Sequence, residues 1–260
     1  RPDAQPASQE QVYIRAYRQE DLPRMRELLE EEARRHPVCV RRGPERWREI
    51  LEPGESGPNK SGSEAAVYER DGEVEGYLIY RQRGSGEGSG TRLLKVPELI
   101  SSTIRARDAL LSFMAAYDPL EWRVRHDTSR GEPLHPFLES SHVEARVQPG
   151  KMLRLVDVEG ALSLLSRPSP EPLVLEVTDD AIPENAGAYT VGEGKAVREA
   201  AAPERVALDV RQLAQLYAGY LSAGQLHRRG LIEPRSRRAL ELLEEIFPAA
   251  DPWVFPLDHF

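Results

Sequence analysis

The chain has 260 residues, enough for one large domain or two ordinary ones with real hydrophobic cores. Its net charge of −8 argues against nucleic acid as the main partner, since phosphate binding depends on clustered Lys and Arg, and a negative field attracts cationic small molecules. Cys39 is the only cysteine, which excludes an internal disulfide and a multi-thiolate metal site and favours the cytoplasm as compartment. No apolar run approaches the ~18 residues of a membrane-spanning helix, so no membrane partner is expected.

The first part of the chain has the patterns of an α+β domain with an antiparallel-rich sheet. Residues 1–11 are polar and predict a linker. Asp71-Gly72 is a short-turn signal between two strands, and Ser101 or Ser102 can cap a helix. Apolar periodicity predicts, in chain order, a strand at 12–17, helices at 22–29 and 44–51, a loop at 52–63, strands at 66–70, 74–80 and 93–100, a helix at 104–117, a strand at 122–125, a short helix at 134–138 and a strand pair over 143–158.

A Pro-rich stretch over 166–172 predicts a second linker, which places the domains at 12–165 and 173–260. The second domain also mixes strand and helix patterns. Its predicted elements are strands at 173–177, 188–191, 196–199 and 206–210, helices at 210–223 and 236–247, and an apolar, Pro-broken tail over 251–260 that packs against the body.

Several short motifs follow one another along the chain: Leu153–Leu162, Leu173–Asp179, Asn185–Gly187, Leu213–Gly219 and the ending Pro252–Phe260. They resemble the enhanced intracellular survival (Eis) type of N-acetyltransferase, in that family's order. The element order of residues 12–158 likewise resembles the GCN5-related acetyltransferase (GNAT) fold. This resemblance implies a GNAT-like domain without a cofactor loop, followed by a sterol-carrier-protein-like domain.

An intact Eis-type subunit has an N-terminal acetyl-CoA-binding GNAT domain, a central GNAT-like domain and a sterol-carrier-like domain, and it assembles into homo-oligomers, commonly hexamers. Such enzymes acetylate amines, including those of aminoglycosides and lysine side chains. Nothing in this sequence corresponds to the first domain, and the start at Arg1 is interpreted as an excised segment or a linker from something upstream. The resemblance therefore implies acetyl-CoA as cofactor of the intact protein and none for this chain alone, which is expected to be inactive by itself.

One motif imitates a cofactor loop. A GNAT domain holds the pyrophosphate of acetyl-CoA with an Arg/Gln-x-x-Gly-x-Gly/Ala loop between its central strand and the next helix, and Arg81–Gly86 fits this pattern. Because Gly/Ser-rich sequence and then an apolar strand follow it, we interpret it as a flexible hairpin loop over 84–90. The junction where the loop belongs, Glu98–Arg105, has no glycine. The sequence thus predicts a degenerate GNAT domain that does no acetyl transfer itself.

The end of the chain carries the candidate site. By resemblance, the family's terminal α-carboxylate reaches into the active site of the N-terminal domain and helps accept a proton from the cationic amine substrate. If the chain ends natively, Phe260 supplies this carboxylate as the catalytic residue, with His259, Asp258 and Trp253 as substrate-binding residues. An amine must be neutral to attack a thioester, so a nearby base is needed. The alternative interpretation is that Trp253, Phe255 and Phe260 anchor a tail over an apolar groove.

A second class of function fits the same sequence. Sterol-carrier-like domains can enclose an apolar tunnel, so residues 173–260 could form a lipid- or sterol-binding module, although the same side chains would fill an ordinary core. Such a module is expected to co-purify with lipid, whereas a purely structural assembly segment is expected to oligomerise alone. One helical apolar stripe can face a core, a lipid or another subunit: Leu213, Leu216, Tyr217, Tyr220 and Leu221.

Other reactive residue types give no further site. The histidines are scattered without a ligand spacing such as HExxH, so no metal is expected. Cys39 lies between two valines and predicts a buried structural thiol. Asp179-Asp180 looks like a carboxylate pair but is interpreted as a loop at a strand end.

Overall fold

The computed structural model of the protein describes residues 10–52, 63–83, 92–116, 122–137, 143–148, 150–165, 171–192, 196, 198–199 and 202–258. The chain divides into a first unit of residues 1–144 and 253–260 and a second unit of residues 145–252. The predicted linkers and Gly-rich loops at 1–11, 52–63, 84–90 and 166–172 lie largely outside the described residues. The division therefore precedes the predicted linker, and the tail belongs to the first unit rather than to the second.

The first unit contains a five-stranded sheet in the order β1-β2-β3-β4-β5. The first four strands pair antiparallel, and β4 and β5 pair parallel. Asp71 and Gly72 form the β2–β3 turn with φ of 55° and 82°, as the sequence predicted. The strands are β1 (Ile14–Ala16), β2 (Glu64–Arg70), β3 (Glu73–Arg83), β4 (Arg92–Ser101) and β5 (Trp122–His126).

Helices cover both faces of this sheet. The helices are α1 (Leu22–Ala33), α2 (Pro44–Leu51) and α3 (Ile104–Ala115). Successive strand residues alternate between two cores, so Val67 joins the core with α1 and α2, whereas Tyr68 joins the core with α3. Phe255 and Leu257 of the tail complete the α1–α2 core. The result is a three-layer α+β unit in which the last part of the chain packs against the first.

The second unit has a four-stranded sheet in the order β7-β6-β8-β9. In the predicted apolar stripe, Leu213 and Leu216 are fully buried in the core of this unit, and Tyr217 and Leu221 pack against it. Four members of the stripe therefore face a core, whereas Tyr220 is exposed. The elements are α4 (Val158–Ser163), β6 (Leu173–Thr178), β7 (Gly187–Val191), β8 (Arg205–Asp209), α5 (Val210–Tyr217), α6 (Ala223–Arg228), β9 (Ile232–Pro234) and α7 (Arg237–Ile246).

Three element predictions differ from the structure. Residues 196, 198 and 199, the described part of the strand predicted over 196–199, form no strand. The strand pair predicted over 143–158 has no strand in its described residues, and α4 begins at Val158 because the Asp157 carboxylate accepts the N–H of Gly160 at 2.8 Å. The helix predicted over 210–223 ends at Tyr217, and a separate helix, α6, begins at Ala223. Within the described parts of the chain, no helix has both the length and the apolarity needed to cross a membrane.

Candidate functional site

The junction between β4 and α3 is the place where a GNAT cofactor loop belongs. Here the Ser102 amide donates to the carbonyl of Glu75 at 2.8 Å. Thr103, rather than Ser101 or Ser102, caps α3, and its hydroxyl accepts the N–H of Ala106 at 3.2 Å. The same hydroxyl donates to Glu75 Oε2 at 2.7 Å. The Thr103 side chain therefore satisfies one N–H at the start of the helix and links it to Glu75.

Glu75 brings a negative charge to this helix start. Glu75 is 5% exposed, and Arg105 on the first turn of α3 donates to its carboxylate through Nε at 2.7 Å. The Arg105 hydrogen bonds hold the pKa of Glu75 below its ordinary value, so the carboxylate is ionised at neutral pH. A helix N-terminus attracts anions, and here an internal carboxylate already lies beside it, held by the Thr103 hydroxyl and the Arg105 side chain. A pyrophosphate would have to displace Glu75 against like-charge repulsion.

The described part of the motif, residues 81–83, lies at the end of β3. Arg81 and Arg83 belong to β3 and pair antiparallel with Lys95 and Leu93 of β4. The glycines of the motif, Gly84 and Gly86, lie outside the described residues. The element that follows is thus a strand, as the hairpin interpretation requires, and the predicted loop over 84–90 lies outside the described residues. The backbone arrangement that would aim helix N–H groups at a phosphate is not provided by β3 and β4.

A small cavity lies where the parallel strands separate. β5 pairs with β4 as far as His126 opposite Val96, and beyond that point β4 continues with β3 as its partner. The cavity has a volume of about 70 Å³, far below the ~300–1,000 Å³ of typical small-molecule sites. His126 Nδ1 lies 2.8 Å from the Val96 carbonyl, and burial lowers the pKa of the imidazole. Ser129 also lines the cavity, and its buried hydroxyl has no hydrogen-bond partner among the described residues.

The tail is held by a buried charge cluster in the first unit. The Asp258 side chain is 1% exposed, and its two oxygens accept from Arg42 Nε and Nη2, each at 2.8 Å. Along another edge of the Arg42 guanidinium, Nη1 and Nη2 donate to the two oxygens of Glu98, at 3.0 and 2.7 Å. The Tyr77 hydroxyl donates to Glu98 at 2.9 Å, and burial raises the pKa of Tyr77 well above its ordinary value, so it remains a donor. One guanidinium therefore bridges two carboxylates.

Of the four predicted site residues, two are described by the structure and two are not. Phe260 and His259 lie outside the described residues, so their roles stay predictions. Trp253 is half-buried and packs edge-on against Phe255, with ring centroids 6.4 Å apart. Asp258 lies in the charge cluster, and its predicted substrate contact is not tested by this placement.

Sequence reasoning missed Arg42, Glu75 and Glu98. Arg42 follows another arginine, and two adjacent arginines are typical of an exposed surface. Nothing in the sequence therefore indicates that Arg42 is buried. Glu98 did carry a signal, because a charged residue inside the apolar strand Val96–Ile100 must find a partner when it is buried. Its partners come from distant parts of the chain, which periodicity does not reveal.

The remaining candidates are structural. The Cys39 thiol donates to the Trp253 carbonyl at 3.0 Å, and burial raises its pKa to about 11. Cys39 is half-buried rather than fully buried as the sequence predicted, and the raised pKa fits a structural thiol. Asp179 follows β6 and accepts from Arg154 and Asn185, which confirms the strand-end loop. Among the residues that the structure describes, His, Cys, Asp and Glu form no group suited to a metal ion.

Comparison with known proteins agrees with this two-part fold. Residues 38–155 match the acetyltransferase (GNAT) domain family, and residues 158–255 match the sterol carrier protein domain family. An uncharacterized N-acetyltransferase of Streptomyces avermitilis is 29% identical over 215 residues, which cover 79% of this chain and 52% of the relative. The chain is thus an α+β protein with a GNAT-like fold followed by a sterol-carrier-protein-like domain.

Solved structures show the same fold. A GCN5-related N-acetyltransferase from Anabaena variabilis is 23% identical with a TM-score of 0.76, over 95% of this chain and 62% of that one. Eis1 from Mycobacterium abscessus is 24% identical with a TM-score of 0.68, over 96% of this chain and 63% of that one. This chain spans about half the length of the curated relative and less than two thirds of these two structures.

Proposed function

We propose that this chain is the C-terminal portion of an acetyl-CoA-dependent N-acetyltransferase that acts on amines, of the aminoglycoside or lysine kind. Its GNAT-like unit serves as a scaffold rather than as the cofactor site. The observation that carries this proposal is the β4–α3 junction, where Glu75 and Thr103 occupy the anion-attracting start of the helix. In this proposal acetyl-CoA binds an N-terminal acetyl-CoA-binding domain, and this chain supplies pocket walls and an assembly surface of a homo-oligomer.

The chemistry proposed for this chain is proton acceptance. Bound acetyl-CoA supplies an acyl thioester, which a neutral amine can attack and an ammonium cannot. The Phe260 α-carboxylate accepts the proton of the substrate ammonium, and His259, Asp258 and Trp253 line its surroundings. A free α-carboxyl has a pKa near ~3.5, so it must be desolvated or act through water to serve near neutral pH. The net charge of −8 supports a cationic substrate.

Calorimetric titration of the 260-residue chain with acetyl-CoA tests the scaffold role. We expect no saturable heat, with a cofactor-binding GNAT enzyme titrated in parallel as the positive control. Saturable binding to this chain would overturn the scaffold role and make its GNAT-like unit a candidate acetyltransferase. Such an outcome would leave the tail's role to be judged separately.

Deletion of residues 259 and 260 in the intact enzyme tests the terminal carboxylate. We expect kcat to fall about 100-fold or more, the range of a lost general base, with little change in the KM for acetyl-CoA. Unchanged turnover would remove Phe260 from the mechanism.

Sedimentation of the 260-residue chain tests the proposed assembly surface. A monomer at all concentrations would contradict that part of the proposal.

A further inference from the structure

Three distant parts of the first unit meet at the charge cluster. Arg42 lies between α1 and α2, Glu98 lies on β4, and Asp258 lies 216 residues beyond Arg42 in the tail. The guanidinium is planar and uses Nε and both terminal nitrogens, so each carboxylate meets a fixed edge of it. A single arrangement of the three side chains satisfies all four hydrogen bonds.

Because the charge cluster is buried, it fixes the position of the tail more than it stabilises the fold. The side chains of Arg42 and Glu98 are 0% exposed and that of Asp258 is 1% exposed. Well-packed apolar residues often replace buried ion pairs without loss of stability, so such a pair is better explained by the position it imposes. Apolar contacts of Phe255 and Leu257 alone would tolerate sliding of the tail, because dispersion and hydrophobic burial are not directional.

Two further contacts fix the tail before Asp258. The Cys39 thiol donates to the Trp253 carbonyl, and Arg46 donates to the Leu257 carbonyl. The tail backbone also closes on itself, since the Asp258 amide donates to the Phe255 carbonyl at 2.8 Å. The main chain is therefore held at Trp253 and Leu257, and the side chain of Asp258 is the last point of attachment that the structure describes.

We propose that Arg42 is a positioning residue for the tail: it holds Asp258 against Glu98 and so fixes the place of the last described residue, to which residues 259 and 260 are attached. This proposal rests on the proposed function, because it is through the terminal carboxylate that Arg42 acts on the reaction. The Arg42 side chain is 0% exposed, so in this proposal it acts through Asp258 and not by touching a substrate. The Lys side chain cannot replace it, since a single ammonium cannot present two edges to two carboxylates.

Carboxypeptidase trimming followed by mass spectrometry tests the clamp without any activity assay. Arg42→Lys and Glu98→Gln keep the tail sequence unchanged, and Arg41→Lys is the matched control because Arg41 is an exposed neighbour. We expect the wild type and Arg41→Lys to resist removal of Leu257, and both cluster variants to lose it at least tenfold faster. Equal rates in all four folded proteins, verified by thermal unfolding, would overturn the clamp.

A double-mutant cycle in the intact enzyme tests the positioning role. Arg42→Lys is combined with deletion of residues 259 and 260, and kcat is measured for each variant. We expect Arg42→Lys to lower kcat in the full tail and to have no further effect in the shortened one, because the two changes remove the same contribution. Additive losses would mean a merely structural role and would overturn the proposal. If the deletion alone has no effect on kcat, the catalytic role proposed for the terminal carboxylate is wrong. The trimming experiment then still shows whether Arg42 holds the tail.

Discussion

Two glycines of the second unit adopt the left-handed backbone in different surroundings. Gly219 has φ of +71°, and a Cβ there would lie 2.7 Å from Ala250 Cβ and 2.9 Å from its amide nitrogen. That amide donates to the Gly219 carbonyl, so the contact cannot open without loss of a hydrogen bond. Gly230 has φ of +66° with no atom near its missing Cβ. Only the backbone preference acts at Gly230, whereas packing acts in addition at Gly219.

We therefore expect Gly219→Ala to cost more stability than Gly230→Ala. The left-handed conformation alone costs a non-glycine residue about 1–2 kcal/mol, which is the expected loss at Gly230. Gly219→Ala adds the clash with Ala250, so its total loss should exceed about 2 kcal/mol. Urea unfolding followed by circular dichroism measures both variants. Equal losses would mean that the Gly219–Ala250 approach is not a tight contact.

Asp179 gives the second unit an acid-sensitive hydrogen-bond network. Burial by itself would raise its pKa, but hydrogen bonds from the Ile182 amide, Asn185, the Ala181 amide and Arg154 outweigh it and hold the pKa at about 2. Since this value lies below that of the unfolded chain, ionised Asp179 stabilises the fold above about pH 4. This contribution disappears as the pH falls towards 2.

The corresponding variant is Asp179→Asn. It keeps the shape of the side chain but removes the charge, so we expect lower stability at pH 7 and a smaller difference from wild type at pH 2–3. Urea midpoints measured between pH 2 and 7 test this prediction. A difference that stays constant with pH would show that the carboxylate charge does not contribute. Asp180→Asn is the control, because Asp180 is exposed.

Helices and strands were predicted correctly where a local sequence signal, such as a cap or a turn, determines them. The helix predicted at 44–51 is present with those bounds, because Pro44 starts it in the first turn, and Asp71-Gly72 placed the β2–β3 hairpin. The apolar alternation up to Val158 suggested a strand, but the cap at Asp157 begins a helix there. The strand β9 has only three residues and includes Pro234, so no periodicity could identify it.

The start of α3 shows how a small change of cap affects an element. Thr103→Ala removes the acceptor for the Ala106 amide and the donor to Glu75. We expect a loss of about 1 kcal/mol, the usual value of an N-cap, and Thr103→Ser should retain most of it. Thermal unfolding of both variants tests this. A Thr103→Ala protein as stable as wild type would show that the cap is dispensable.

At the scale of the whole molecule, the candidate site depends on contacts that span nearly the entire chain. The sequence motifs predicted the two fold types and directed attention to the tail. They could not predict that the tail belongs to the first unit, since Arg42 and Asp258 are 216 residues apart and no local pattern links them. The second unit, in contrast, draws its core from residues 155–247 alone.

This difference predicts opposite behaviour of two fragments. Residues 145–252 contain their complete core, so we expect this fragment to fold alone and to unfold cooperatively in calorimetry. Residues 1–144 lack Phe255, Leu257 and Asp258, which leaves Arg42 and Glu98 buried without their third partner. Removal of one member of a buried ion cluster costs about 3–5 kcal/mol, so this fragment should be unstable or unfolded.

A synthetic peptide of residues 251–260 provides the complementary measurement. Added to the 1–144 fragment, it should restore cooperative unfolding and raise the midpoint in proportion to the logarithm of its concentration, because it binds only the folded state. The same peptide with Asp258→Asn keeps the apolar contacts but loses charge pairing with Arg42, and it should bind at least tenfold more weakly. Equal stabilisation by both peptides would show that apolar packing alone docks the tail, and a 1–144 fragment as stable as the intact first unit would show that the tail is not part of its core.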